Sequence, residues 1–145
     1  MKAASTPSRM TTILEAAMTP EVQNAIQEIT QAFPDCPLEP IEDGQGGAVV
    51  MLYDVPIEGP QYQQTNTWVG FHITHTYPYA DVYPHFVRHD LSRRDGKALG
   101  DGTSLGAFRN HPAIQISRRS NRHDPVTDTA LLKLCKVLRW LNSRP

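Results

Sequence analysis

Trp68-Val69-Gly70-Phe71-His72-Ile73-Thr74-His75-Thr76-Tyr77-Pro78-Tyr79-Ala80-Asp81-Val82-Tyr83-Pro84-His85-Phe86-Val87 is the stretch that decides the fold. From Thr67 to Thr76 the residues alternate: Val69, Phe71 and Ile73 point one way, Trp68, His72 and Thr74 the other. That period of two is the mark of a strand with one buried face. Two Tyr-Pro pairs follow at once. Proline removes a backbone donor and disfavours helix in the residue before it, so this segment turns or extends and cannot be helical. A further short strand is expected around His85 to Arg88.

Upstream, Ala48 to Tyr53 is a β-prone run behind a glycine-rich turn at Gly44, Gly46 and Gly47, and Gly59-Pro60 marks another turn. Strands linked as hairpins are the natural reading. Before them, Thr19-Pro20-Glu21 carries a helix start: a capping hydroxyl, a proline at the first helical position and an acid at the positive end of the dipole. Val22, Ile26, Ile29 and Phe33 then recur at helical spacing until Pro34 and Pro37 end the helix. Residues 1–18 read as a flexible tail, loose over 1–10 with room for a helical turn at Thr11 to Met18. Downstream, Ser92 to Gly106 is rich in Gly, Ser and Asp and reads as one long loop, a feature often tied to function. A last helix begins at Thr127 or Asp128, with Leu131, Leu134, Cys135, Leu138 and Leu141 as its stripe. The sum is one α+β domain over 19–145.

A chain of 145 residues can build a core without metal or disulfides. No apolar run reaches bilayer length, and the first ten residues have no signal-peptide pattern, so the expected location is the cytoplasm, off the membrane. The two cysteines, Cys36 and Cys135, fit no zinc or redox spacing. The net charge of −1 hides an asymmetry, with acids gathered between Glu15 and Glu58 and arginines between Arg88 and Arg122. One acidic and one basic face would suit a protein partner with charged patches.

The quoted stretch resembles the centre of the ubiquitin-conjugating (E2, UBC) fold. There a strand of alternating apolar residues runs into a Tyr-Pro pair, and another proline precedes the next strand. Tyr77-Pro78 and Pro84 stand where that pattern wants them, and Gly59 and Tyr62 resemble the turn and aromatic ahead of the third strand. The resemblance covers roughly 19–90 and, loosely, the final helix. It implies an N-terminal helix, an antiparallel meander sheet, a long loop and a C-terminal helix. The family's His-Pro-Asn motif and nucleophilic cysteine have no counterpart here. His111-Pro112-Ala113 comes late and carries Ala113 in place of Asn, and no cysteine lies between Asp90 and Leu134. Serine or threonine cannot replace a thiolate in thioester chemistry. The sequence is most similar to divergent bacterial E2-like proteins and to E2-variant or RWD-type relatives that bind partners without carrying ubiquitin. The resemblance therefore implies a noncatalytic module, with a ubiquitin-like protein or an E1-like enzyme as partner and no cofactor.

Each candidate residue has a plainer reading beside it. Cys135 reads first as core packing. As a carrier nucleophile it would need His111 or His123 as base. Cys36, beside Asp35, is poorly placed for activation. Among the six histidines, His72 and His75 face opposite sides, and His85 and His89 share a side. No helical metal motif supports them, so no metal is expected. Arg118, Arg119 and Arg122, with Arg109 upstream, form the densest basic region. Forked guanidinium groups suit the carboxylates of an acidic partner or the tail of a ubiquitin-like protein. The plainer reading is a solvated loop paired internally to Asp124 or Asp128. The lack of interleaved aromatics in this segment argues against nucleic acid. An unrelated α+β domain that binds an anion or metal through His and Arg residues completes the alternatives.

Overall fold

A computed structural model describes residues 18–145, so the tail expected at the N-terminus lies, but for Met18, outside the described residues. The first helix, α1 (Pro20–Ala32), starts as its sequence dictates. Thr19 Oγ1 accepts a hydrogen bond from Val22 N–H at 3.1 Å, with Pro20 and Glu21 in the first turn. Val22, Ala25 and Ile29 form its buried stripe, with Ile26 and Phe33 packed at the margin. Pro34 stops it by forcing Phe33 out of helical geometry.

The sheet has six strands: β1 (Leu38–Glu42), β2 (Ala48–Pro56), β3 (Asn66–Ile73), β4 (His85–Arg88), β5 (Thr103–Phe108) and β6 (His111–Ile116). Its order is β1-β2-β3-β4-β6-β5, and every pairing is antiparallel. β2, β3 and β4 form the expected meander, and β1, which the sequence reading did not include, pairs antiparallel with β2. The Ser92–Gly106 reading needs correction, because Thr103 already belongs to β5. The β5–β6 hairpin then folds back so that β6, not β5, pairs with β4. Arg109 and Asn110 make its two-residue turn, both with positive φ (52° and 66°), the twist that primed hairpin turns need. Neither residue is the usual glycine, which hid the hairpin.

The second helix, α2 (Ala130–Asn142), starts later than its sequence suggests. Thr129 Oγ1 caps it by accepting from Leu132 N–H at 3.1 Å. Its buried stripe is Ala130, Lys133, Leu134, Val137 and Leu141, turned from the expected one so that Cys135 is only half-buried. Two tyrosines fix its ends. Tyr77 Oη accepts from Ala130 N–H at 2.9 Å, and Tyr62 Oη donates to the Leu141 carbonyl at 2.7 Å.

One core joins the stripes of α1 and α2 to Val69, Phe71 and Ile73 of β3 and to inward residues of β2, β4 and β6. Both helices therefore cover one sheet face. The alternation read from Thr67 to Thr76 holds from Thr67, itself buried in line with Val69, Phe71 and Ile73, as far as Ile73, where β3 ends; Thr74 to Thr76 lead into a turn. The opposite face carries a smaller cluster of Met51, Phe108 and Ala113, edged by Trp68 and Phe86. The connection from β3 to β4 holds the two Tyr-Pro corners, both with cis peptide bonds. No helix among the described residues is long and apolar enough to cross a membrane.

Candidate functional site

The segment leaving β6 is held in place by a buried ion pair. Lys133 sits at an inward position of α2 and is only 6% exposed. Its ammonium donates to Asp81 Oδ2 at 2.7 Å and to Ser120 Oγ at 2.8 Å. Ser120 N–H donates to the same carboxylate oxygen at 2.8 Å. Burial pushes the Asp81 carboxyl up. The hydrogen bonds from Lys133 and Ser120, and the ammonium's charge, outweigh this and hold it below the usual carboxylate range. One charge pair thus ties the Tyr-Pro corner, the basic segment and α2 together.

With Ser120 fixed, the flanking arginines lie on aromatic rings. The Arg118 guanidinium packs on Trp140 at 5.0 Å from the ring centroid, and Arg119 packs on Tyr83 at 4.7 Å. Arg144 packs on the same Trp140 at 4.2 Å and donates to the Asp101 carbonyl at 2.7 Å. The glycine-rich loop closes the other side. Gly102 has φ +89°, and a Cβ there would stand 2.7 Å from the Trp140 ring. Its carbonyl accepts from Ser117 N–H at 2.8 Å. So Gly100–Gly102 and Arg118–Arg119, read separately in the sequence, meet at Trp140. Two concavities of about 390 and 140 Å³ share Arg118 and Trp140.

The internal pairing expected on the plainer reading is not what forms. Asp128 lies 3.9 Å from Lys136 and from His123 Nδ1, and Arg118, Arg119 and Arg122 make no ion pair among the described residues. Arg122 is exposed and lines neither concavity. Arg109 stands apart at the hairpin tip, 3.7 Å from Glu39 of β1. Aromatics absent from the basic segment itself are supplied in space by Trp140 and Tyr83.

The cysteines lie elsewhere. Cys36 and Cys135 both line an apolar groove of about 570 Å³, with Phe33, Val55 and Leu138. This corrects the core placement of Cys135. Burial first, then Asp35 and Asp54, push the Cys36 thiol up, and its Sγ donates to the Asp54 carbonyl at 3.5 Å. Neither His111 nor His123 lines this groove. His111 is exposed at the start of β6. His123 Nε2 hydrogen-bonds the Pro78 carbonyl at 2.6 Å; a carbonyl only accepts, so that nitrogen carries the hydrogen. Its buried Nδ1 has no hydrogen-bond partner.

The remaining histidines divide as well. His85 is fully buried, and burial followed by the Lys133 charge lowers its pKa to about 3, so it stays neutral. His89 is exposed beyond β4. His72 pairs with Asp43 at 2.7 Å. No group of three or more His, Cys, Asp or Glu among the described residues is arranged to hold a metal.

Sequence reasoning missed Trp140, Arg144, Tyr83, Asp81 and Lys133. The glycines at 100 and 102 marked the loop in the sequence, but nothing in the sequence paired that loop with Trp140. Comparison with family models, curated proteins and solved structures yields no match. Fold and site together define an α+β domain with two helices on one face of a six-stranded antiparallel sheet. At one end it carries a basic, aromatic-backed surface.

Proposed function

We propose that this domain is a noncatalytic E2-like protein-binding module in a bacterial ubiquitin-like conjugation system, and that it meets its partner at the surface around Trp140. One observation carries the reading: the glycine loop and the basic segment converge on Trp140, while both thiols sit in an apolar groove that no histidine lines. Guanidinium groups packed over aromatic rings can still donate N–H bonds to carboxylates. A helix, a four-strand meander and a C-terminal helix follow the order the UBC resemblance implies, with the β5–β6 hairpin added between the meander and the last helix. Fold-level likeness alone does not carry function.

The runner-up, a divergent carrier, is favoured by one feature, the half-exposed Cys135 in its groove. Incubation with a matching E1-like enzyme, ATP and a ubiquitin-like protein separates the two on a non-reducing gel. The expected result is no reductant-sensitive adduct, with stable co-elution of a partner. An adduct lost in Cys135→Ala or Cys36→Ala would make the protein a carrier.

A further inference from the structure

We infer that the groove along α2 from Lys136 past Trp140 to Arg144 is a receptor for a short, extended, acidic peptide segment. This rests on the binding-module reading and adds the chemistry of what is bound.

The two concavities that share Trp140 are lined by Arg118, Arg119, Lys133, Lys136 and Arg144, against one lining carboxylate, Asp101. Lys133 is spent on Asp81, and Lys136 has Asp128 at 3.9 Å. The three arginines remain without a carboxylate among the described residues. Arg118 and Arg144 are also brought to the same indole, 5.0 and 4.2 Å from its centroid. Two cations lining one concavity raise its positive potential, and an anion bound there is favoured by both. Packing on the indole holds both guanidinium groups beside it, and a guanidinium fork suits a carboxylate through paired hydrogen bonds.

The groove's length points to a peptide rather than a single small anion. From Lys136 to Asn142, where α2 ends, helical rise covers ~9 Å, and Arg144 extends the groove past the helix end. An extended chain rises about 3.3 Å per residue, so a segment of a few residues matches that span. Alternate side chains of such a chain face one way, which places acids at every second position toward the arginines. Single-stranded nucleic acid fits less well. It binds through open aromatic faces, and here Trp140 and Tyr83 already carry guanidinium groups.

The experiment is fluorescence anisotropy with three labelled probes: a peptide with Glu at alternate positions, the same peptide with Gln, and an oligothymidylate. The Glu peptide is expected to bind at least tenfold more tightly than the Gln peptide and than the oligonucleotide. Arg118→Gln with Arg144→Gln should weaken it at least tenfold. Trp140→Ala should weaken it similarly and Trp140→Phe should restore it in part, while Arg94→Gln leaves it unchanged. The arginine double variant keeps the half-buried Trp140 ring and so guards against a mere folding defect. Equal binding of the Glu and Gln peptides, tighter binding of the oligonucleotide, or binding that survives the arginine double variant would each overturn the inference. If the peptide fails while a ubiquitin-like partner still co-elutes, this inference falls and the module reading stands. A thiol-dependent adduct with the E1-like enzyme would instead remove the module reading itself.

Discussion

Asp81→Asn is expected to destabilise the fold by about 3–5 kcal/mol, because it strands the Lys133 ammonium in the interior without a counter-charge. The Lys133 side chain is 7% exposed and the Asp81 side chain 14%, so solvent screens the pair little. Asn at 81 can still accept from Ser120 N–H, which assigns the loss to charge rather than shape. Asp81→Asn combined with Lys133→Met should recover much of it, since an apolar replacement of a buried pair is often close to neutral. Urea unfolding of the three variants measures this; a loss under about 1 kcal/mol for the single change would contradict it. The pH dependence follows from the lowered carboxyl pKa. The pair's contribution is fully present above the unfolded carboxylate value of about 3.9 and is lost as pH falls through the lower folded value. The stability gap between the wild type and Asp81→Asn should therefore narrow as pH falls through that folded value.

Gly70→Ala should be the next most damaging change. Gly70 lies in β3 between β2 and β4, and a Cβ there would stand 2.3 Å from the Phe108 ring. That ring cannot step aside freely, since it stacks on Trp68 at 6.1 Å and on Phe86 at 4.9 Å. Overpacking of this kind costs about 1–3 kcal/mol, and Phe108→Ala alone about 3 kcal/mol from lost burial. The double variant should lose less than the sum, by roughly 1 kcal/mol or more, because the methyl then occupies space the ring has left. Thermal or urea unfolding of the cycle reads this coupling directly. Simple additivity would mean that Gly70 is not there to admit Phe108.

Local signals made much of this architecture legible. Thr19-Pro20-Glu21 specified the start of α1 through backbone chemistry that needs no tertiary context. Val69, Phe71 and Ile73 specified the buried face of β3 by period alone. The β5–β6 hairpin was hidden because an edge strand such as Thr103–Phe108 buries little beyond Phe108, and because Arg109-Asn110 adopts left-handed geometry without a glycine to announce it. The turn of α2's stripe was hidden because Lys133 counts as polar in any pattern. It faces inward only because Asp81, 52 residues away in sequence, supplies its counter-charge. The basic segment was legible as a candidate. Its aromatic backing was not, because Tyr83, Trp140 and Arg144 come from a corner and a helix end that only the tertiary fold brings beside it.

The most direct test of the central claim is to titrate the isotope-labelled protein with a ubiquitin-like protein of the proposed conjugation system and map backbone amide shifts. The account expects the largest changes at Gly100–Gly102, at Arg118 and Arg119, and from Lys136 to Arg144. Changes centred instead on Phe33 to Cys36 and on Cys135 and Leu138 would contradict it and place the partner over the thiols.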